Sequence, residues 1–296
     1  MKYCSSACQT EDWASHRLVC KNVGATRKEE LLPLMRAAGD CDVATVERLL
    51  KAGAKVDGGA YSETQNSAII ATPLYMAAAA GQAAVIAVLL RAGAKINRAT
   101  AGGSTPLCIA AQEGHRAAVS ALIRAGAEVD IVTDDQCTPL NIAAQEGHEA
   151  VLSLLIKAGA DVNRARDNGS SPLFMAVQNN HWAVLAMLIK AGADIHQATG
   201  SSCMPLFVAA QKNHKTVLAM LLKAGADVNS GRHDNGCTPL FIAAKQGHEA
   251  VVMALLEAGA RMTAMDDGCT PLMAAANEGH TCVVAALKRW IAGIRY

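Results

Sequence analysis

The chain has 296 residues, a formal net charge of +1 and only 18% charged residues, so it has no broad field of either sign to recruit nucleic acid or an anionic membrane by charge alone. Hydrophobic residues reach 51% while aromatics stay at 3%. Much of the apolar count is alanine, which suits short, closely packed helices, and the longest apolar stretches, such as residues 68–80, are broken well short of the ~18–20 residues that span a bilayer.

The opening Met-Lys-Tyr-Cys-Ser-Ser lacks the apolar core of a signal peptide, and the ten cysteines fit a reducing compartment as thiols or metal ligands. An intracellular protein without a membrane span is therefore expected, in cytoplasm, nucleus or both. Lys288-Arg289 is too short a basic run to choose between them.

Residues 1–20 carry Tyr3, Cys4, Ser5, Cys8, Gln9, Trp13, His16 and Cys20. The order Tyr-Cys-Ser-x-x-Cys-Gln, then Trp, then His-x-x-x-Cys resembles the second half of a MYND zinc finger. Thiolates and imidazole suit tetrahedral zinc, and such a site supplies folding energy to a segment too small for a core. The resemblance implies that Cys4 and Cys8 serve one zinc and His16 and Cys20 a second. It also implies that Gln9 and Trp13 help line a groove for a proline-containing peptide. The family finger draws its remaining ligands from two Cys-x-x-Cys pairs, which are expected upstream of Met1. Three arrangements stay open: a complete finger in a longer chain, a single site spaced C-x3-C-x7-H-x3-C, or a metal-free remnant. Residues 21–28 read as a short polar linker.

From residue 29 to 296 one phrase recurs. Thr-Pro-Leu or a close variant places Pro73, Pro106, Pro139, Pro172, Pro205, Pro239 and Pro271 about 33 residues apart, a period that implies a stack of repeats. Residues 138–162 show the unit most clearly. Thr138 reads as an N-cap with Pro139 at the first helical position. Leu140, Ala143 and Ala144 mark the buried stripe of a short first helix, and Gly147 breaks it. A second helix follows through Val151, Leu154, Leu155 and Ile156, and Gly159 ends it in the left-handed conformation. A polar turn leads to the next unit. This combination of Thr-Pro-Leu, an Ala-Ala pair, Gly-His, a Leu pair and Gly-Ala-Asp-Val-Asn resembles the ankyrin repeat. An all-α ankyrin-repeat solenoid of about eight helix-turn-helix plus β-turn units is expected, with the zinc-finger fragment at its N-terminus. The first unit is more polar, with Arg36, Asp40, Asp42 and Arg48, as a cap facing water should be. The last ends in Lys288-Arg289-Trp290 without a Gly-Ala-Asp turn, so both ends of the stack are expected to be present.

Three columns invite a functional reading. The place after Thr-Pro-Leu holds Tyr75, Cys108, Asn141, Phe174, Phe207, Phe241 and Met273, where packing between repeats is expected over an exposed aromatic ladder. His115, His148, His181, His214, His248 and His280 share another place. Helices about 8–10 Å apart cannot converge those rings on one zinc, so bonding to backbone is expected. Cys137, Cys203, Cys237 and Cys269 precede Thr-Pro-Leu or its variants and read as structural thiols, too far apart to bridge. Residues 58–71 lengthen one spacing by about seven residues and read as a tolerated insertion or a specificity finger.

The ankyrin resemblance places binding on the concave side, on the first-helix faces and turn tips. Carried over by position, the face is Gln112, Glu113, Gln145, Glu146, Gln178, Asn179, Gln211, Lys212, Lys245, Gln246, Asn277 and Glu278. The tips include Asp134, Asp135, Arg166, Asp167, His233, Asp234, Asp266 and Asp267. Amides and mixed charge suit a protein or peptide partner and not phosphate. No glycine-rich phosphate loop, Gly-x-Ser-x-Gly or His-Glu-x-x-His occurs. A monomeric, non-enzymatic adaptor is therefore expected. The alternatives are a plain scaffold with a vestigial N-terminus, or a fragment of a larger MYND protein with an enzyme domain upstream of Met1.

Overall fold

A computed structural model of the chain describes residues 33–58, 60–61, 69–232, 236–263, 265 and 268–293. The zinc-ligand candidates Cys4, Cys8, His16 and Cys20, with Gln9 and Trp13, lie outside the described residues, as do His233, Asp234, Asp266 and Asp267.

Sixteen helices occur among the described residues, in pairs. The first helices are α1 (Pro33–Gly39), α3 (Pro73–Ala79), α5 (Pro106–Gln112), α7 (Pro139–Glu146), α9 (Pro172–Gln178), α11 (Pro205–Gln211), α13 (Pro239–Lys245) and α15 (Pro271–Asn277). Their partners are α2 (Val43–Lys51), α4 (Ala83–Arg91), α6 (Arg116–Arg124), α8 (Glu149–Lys157), α10 (Trp182–Lys190), α12 (Lys215–Lys223), α14 (Glu249–Glu257) and α16 (Thr281–Ile291). The one strand element among the described residues is a ribbon of β1 (Ala60–Tyr61) and β2 (Ile69–Ala71), which pairs antiparallel with Ala60 opposite Ala71. It joins the two ends of the insertion.

Six of the first helices start as the sequence dictates. A hydroxyl at the N-cap accepts from the backbone N–H three residues on: Thr72 from Tyr75, Thr105 from Cys108, Ser171 from Phe174, Thr238 from Phe241 and Thr270 from Met273. Proline follows at the first helical position, where its missing N–H is not needed. Thr138 and Asn141, both fully buried, cap reciprocally: Thr138 Oγ1 accepts from Asn141 N at 3.1 Å, and Asn141 Oδ1 accepts from Thr138 N at 2.9 Å. Met204 replaces the hydroxyl in one repeat, and that helix has no side-chain cap.

The helices form two compact units, Met1–Ala143 with Ala150–Ala160, and Ala144–Glu149 with Asp161–Tyr296. In the first, α3 packs between α1 and α5, and α4 between α2 and α6. In the second, α11 packs between α9 and α13, α13 between α11 and α15, and the second helices α10, α12, α14 and α16 stack in the same order. Leucine followed by an alanine pair lets first helices approach closely, as at Leu107, Ala110 and Ala111 or Leu240, Ala243 and Ala244, all buried. The second-helix stripe is set one place differently from the sequence expectation. In α8 it is Val151, Leu152 and Leu155 that are buried, whereas Leu154 and Ile156 are only half-buried. Positions i, i+1 and i+4 share a helical face, and the i+3 and i+5 side chains fall to its edges. Each buried leucine contributes roughly 1.5–3 kcal/mol.

Asp57, Asn97, Asn163 and Asn229, each following a second helix, link to the next repeat, and Asp57 Oδ1 accepts from Lys95 N at 3.1 Å. Asn97 Oδ1 accepts from Glu128 N, Asn163 Oδ1 from Asp194 N at 2.8 Å, and Asn229 Oδ1 from Arg261 N at 2.8 Å. His196 stands in that column and makes no such link among the described residues, and the neighbouring Gln197 Oε1 is buried without a partner. The column after Thr-Pro-Leu is interior: Phe174, Phe207 and Phe241 are at most 6% exposed. Met273 of the last repeat is 55% exposed.

Candidate protein-interaction face

The first helices end where a residue with positive φ turns the chain. Gly81, Gly147 and Gly247 hold φ of 73°, 78° and 76°, and Asn180 and Asn213 hold 61° and 59° in the same column. The histidine of the following repeat lies directly over this residue. A Cβ on Gly81 would sit 2.8 Å from the His115 ring, and one on Gly147 would sit 2.7 Å from the His181 ring.

From there the imidazole reaches a backbone carbonyl at the end of the preceding first helix. His115 Nε2 bonds Ala79 O at 3.0 Å, His181 bonds Gln145 O at 2.9 Å, His214 bonds Gln178 O at 3.4 Å, His248 bonds Gln211 O at 3.0 Å and His280 bonds Lys245 O at 2.9 Å. A carbonyl only accepts, so Nε2 carries the hydrogen in each case. The expected histidine-to-backbone bond is therefore present, and it crosses from one repeat to the last turn of the one before. Four of these carbonyls belong to residues of the expected face, so the histidines fix its backbone. Burial is the main cause holding the His214 pKa below its ordinary 6.5. The like charge of Lys212 adds to it, and the bond to Gln178 opposes it.

The side chains divide into engaged and open sets. Gln145 and Glu146 are half-buried: Gln145 Nε2 donates to Glu146 Oε1 at 3.0 Å, and Gln145 Oε1 accepts from Arg166 at 2.9 Å. Asn179 is exposed, but its Nδ2 donates to Met175 O at 2.9 Å. Gln178 and Gln112 are half-buried, and Glu113 is exposed. Gln211, Lys212, Lys245, Gln246, Asn277 and Glu278 are all exposed.

Among the turn tips, Asp134 and Asp167 are exposed and Asp135 is half-buried. Arg166 departs from the expectation of an exposed tip: it is 8% exposed because its guanidinium folds back onto α7 through Gln145. The tips are also joined through backbone, with Asp134 N donating to Gly102 O and Gly200 N to Asn168 O at 2.8 Å. The Arg166 contact spans 21 residues, and its turn column holds Thr133, Thr199, Arg232 and Met265 elsewhere, so residue type alone did not signal it.

Seven free thiols are described. Cys108, Cys137 and Cys237 are buried, Cys203 and Cys269 half-buried, and Cys41 and Cys282 exposed. Among the described residues no group of three or more His, Cys, Asp or Glu could hold a metal ion, and no helix is long and apolar enough to cross a membrane.

Comparison with known families agrees with this architecture. The model for ankyrin repeats in three copies matches residues 34–133, 74–166, 107–199, 164–232 and 206–293. The MYND finger model matches residues 1–20. No curated protein matches the chain. Among solved structures, the human ASB11 ankyrin repeat domain is similar, at 30% identity and a TM-score of 0.65, over 74% of this chain and 97% of that one. With its repeats matched from residue 34 to 293, the chain belongs to the ankyrin-repeat family.

Proposed function

We propose that this chain is a non-enzymatic interaction adaptor that docks a partner protein on its first-helix faces and turn tips. The observation that carries this reading is the row of exposed polar side chains at the first-helix ends, on a backbone fixed by the histidine bonds. Rigid scaffolding beneath adaptable polar groups is what a specific protein interface requires. The face within the second unit comprises Gln145, Glu146, Gln178, Asn179, Gln211, Lys212, Lys245, Gln246, Asn277 and Glu278, with Gln112 and Glu113 in the first.

The N-terminal segment would provide a second arm. Cys4, Cys8, His16 and Cys20 are donors that suit Zn2+, and Gln9 and Trp13 would face a proline-containing peptide. An intracellular address, cytoplasmic or nuclear, fits seven free thiols.

Affinity capture of the full chain from cells tests the first arm. Proteins held by the wild type and by the outer-helix control Ala219→Arg/Ala250→Arg should be lost from Gln211→Arg/Gln246→Arg. Equal retention by all three contradicts the reading. Metal analysis of purified chain tests the second arm: zinc that disappears in Cys4→Ser/Cys20→Ser supports it, and a metal-free wild type opposes it.

A further inference from the structure

We propose that the partner engages the α11–α13 part of the face through an extended acidic segment. This inference rests on the first-helix face being the docking surface, and it names the patch and the chemistry of its ligand.

The hydrogen-bonding capacity of the face is unevenly spent. On α7 and α9, Gln145, Glu146 and Asn179 are committed to bonds within the protein. On α11 and α13, the side chains of Gln211, Lys212, Lys245 and Gln246 make no hydrogen bond or ion pair among the described residues, and all four are exposed. They present two ammonium groups and two amides, an array dominated by donors.

A lysine at a helix C-terminus is ordinarily explained as complementing the terminal carbonyls. Here that role is already filled on both helices: His248 bonds the carbonyl of Gln211 and His280 bonds that of Lys245. The ammonium groups are left free to face a ligand. With a net charge of +1 on the whole chain, the attraction is local to this patch.

The neighbouring charges set a pattern. In chain order the last turns and caps of the first helices carry Glu146, Asn179, Lys212, Lys245 and Glu278, that is, negative, neutral, positive, positive, negative. Stacked helices repeat at about 8–10 Å, two to three residues of extended chain. The favoured ligand carries carboxylates over α11 and α13, about two to three residues apart, and a neutral or basic residue over α15. Main-chain carbonyls of the same segment would accept from Gln211 and Gln246.

The test is a selection of random 12-residue peptides displayed on phage against the purified full chain, read by sequencing and by anisotropy of labelled winners. The expected winners hold a pair of Asp or Glu. They bind Lys212→Glu/Lys245→Glu about tenfold or more weakly, weaken as salt rises, and bind Lys215→Glu/Lys223→Glu on α12 like the wild type. Winners without acidic pairs, or acidic winners indifferent to Lys212→Glu/Lys245→Glu, overturn the acidic patch. If such winners are still lost on Gln178→Arg or Asn277→Arg, the docking face survives. Failure to obtain any winner sensitive to a face substitution removes both.

Discussion

Substituting Gly147 by alanine perturbs the contact that joins one repeat to the next. Gly147 has φ of 78°, and its Cα faces the His181 ring, so an added Cβ would lie 2.7 Å from Cε1 and Nδ1. The left-handed conformation costs an L-residue about 1–2 kcal/mol. Shifting the ring strains the 2.9 Å bond from His181 to Gln145 O. Weakening it adds up to roughly 1 kcal/mol, so a total of about 2 kcal/mol is expected. The chain contains its own control, because Asn180 and Asn213 occupy this column and their covering histidines still bond at 3.4 and 3.0 Å. Asparagine tolerates positive φ better than alanine does, so Gly147→Asn should cost only about 1 kcal/mol by the same reasoning. Urea unfolding of the three proteins followed by circular dichroism measures the difference. An alanine variant within about 0.5 kcal/mol of wild type, the range of neutral surface changes, would refute the argument that the histidine column holds the repeats together.

Other expectations follow from particular residues. The pKa of His214 is lowered in the folded state, so its neutral form favours folding. That contribution is full above about pH 6.5 and is lost as pH falls through the folded value. Thermal melts should therefore drop as pH falls below about 6.5, and His214→Gln should flatten part of that drop; an unchanged profile would contradict the sign. Restoring a cap with Met204→Thr should raise stability by about 1 kcal/mol in urea titration, even though Met204 Sδ gives up its 2.7 Å contact with Ser230 Oγ; no gain would mean the cap is immaterial there. The same joint lacks the asparagine link at His196, and its 3.4 Å histidine bond is longer than those of His115, His181, His248 and His280, so amides of 199–214 should exchange before those of 166–181. Burial raises the Cys108 thiol pKa, so brief iodoacetamide treatment of native protein should label Cys41 and Cys282 well before Cys108 when mapped by mass spectrometry.

The repeat was legible because its signals are local. Thr-Pro sets an N-cap, glycine sets a left-handed turn, and leucine with two alanines sets a buried stripe, all within a few residues. The histidine column was legible as backbone-bonded for a negative reason, since stacked helices cannot focus rings on a metal. Its actual target, a carbonyl 35 to 37 residues earlier, depends on how repeats lie against each other. The Leu152 and Leu154 exchange reflects an ambiguity of about one residue in helical phase, which a run such as Val151-Leu152-Ser153-Leu154-Leu155-Ile156 cannot resolve without its neighbours.

The candidate face was legible as a column and not as an uneven surface. Gln145 and Gln211 are the same residue at the same place in two repeats. One is bound by Arg166 arriving from a turn 21 residues on, and the other is open to solvent. Periodicity identifies equivalent positions. Engagement depends on the variable turn residues, where the repeats differ most.

The most direct test of the docking surface is site-specific photocross-linking in cells, with a photoreactive amino acid placed in the full chain at Gln211 or Gln246, and at Ala219 or Ala250 as outer-helix references. A discrete cross-linked partner from the first pair and none from the second is the predicted result. Cross-links that form from Ala219 or Ala250 and are missing at Gln211 and Gln246 would place the partner on the other face and contradict the account.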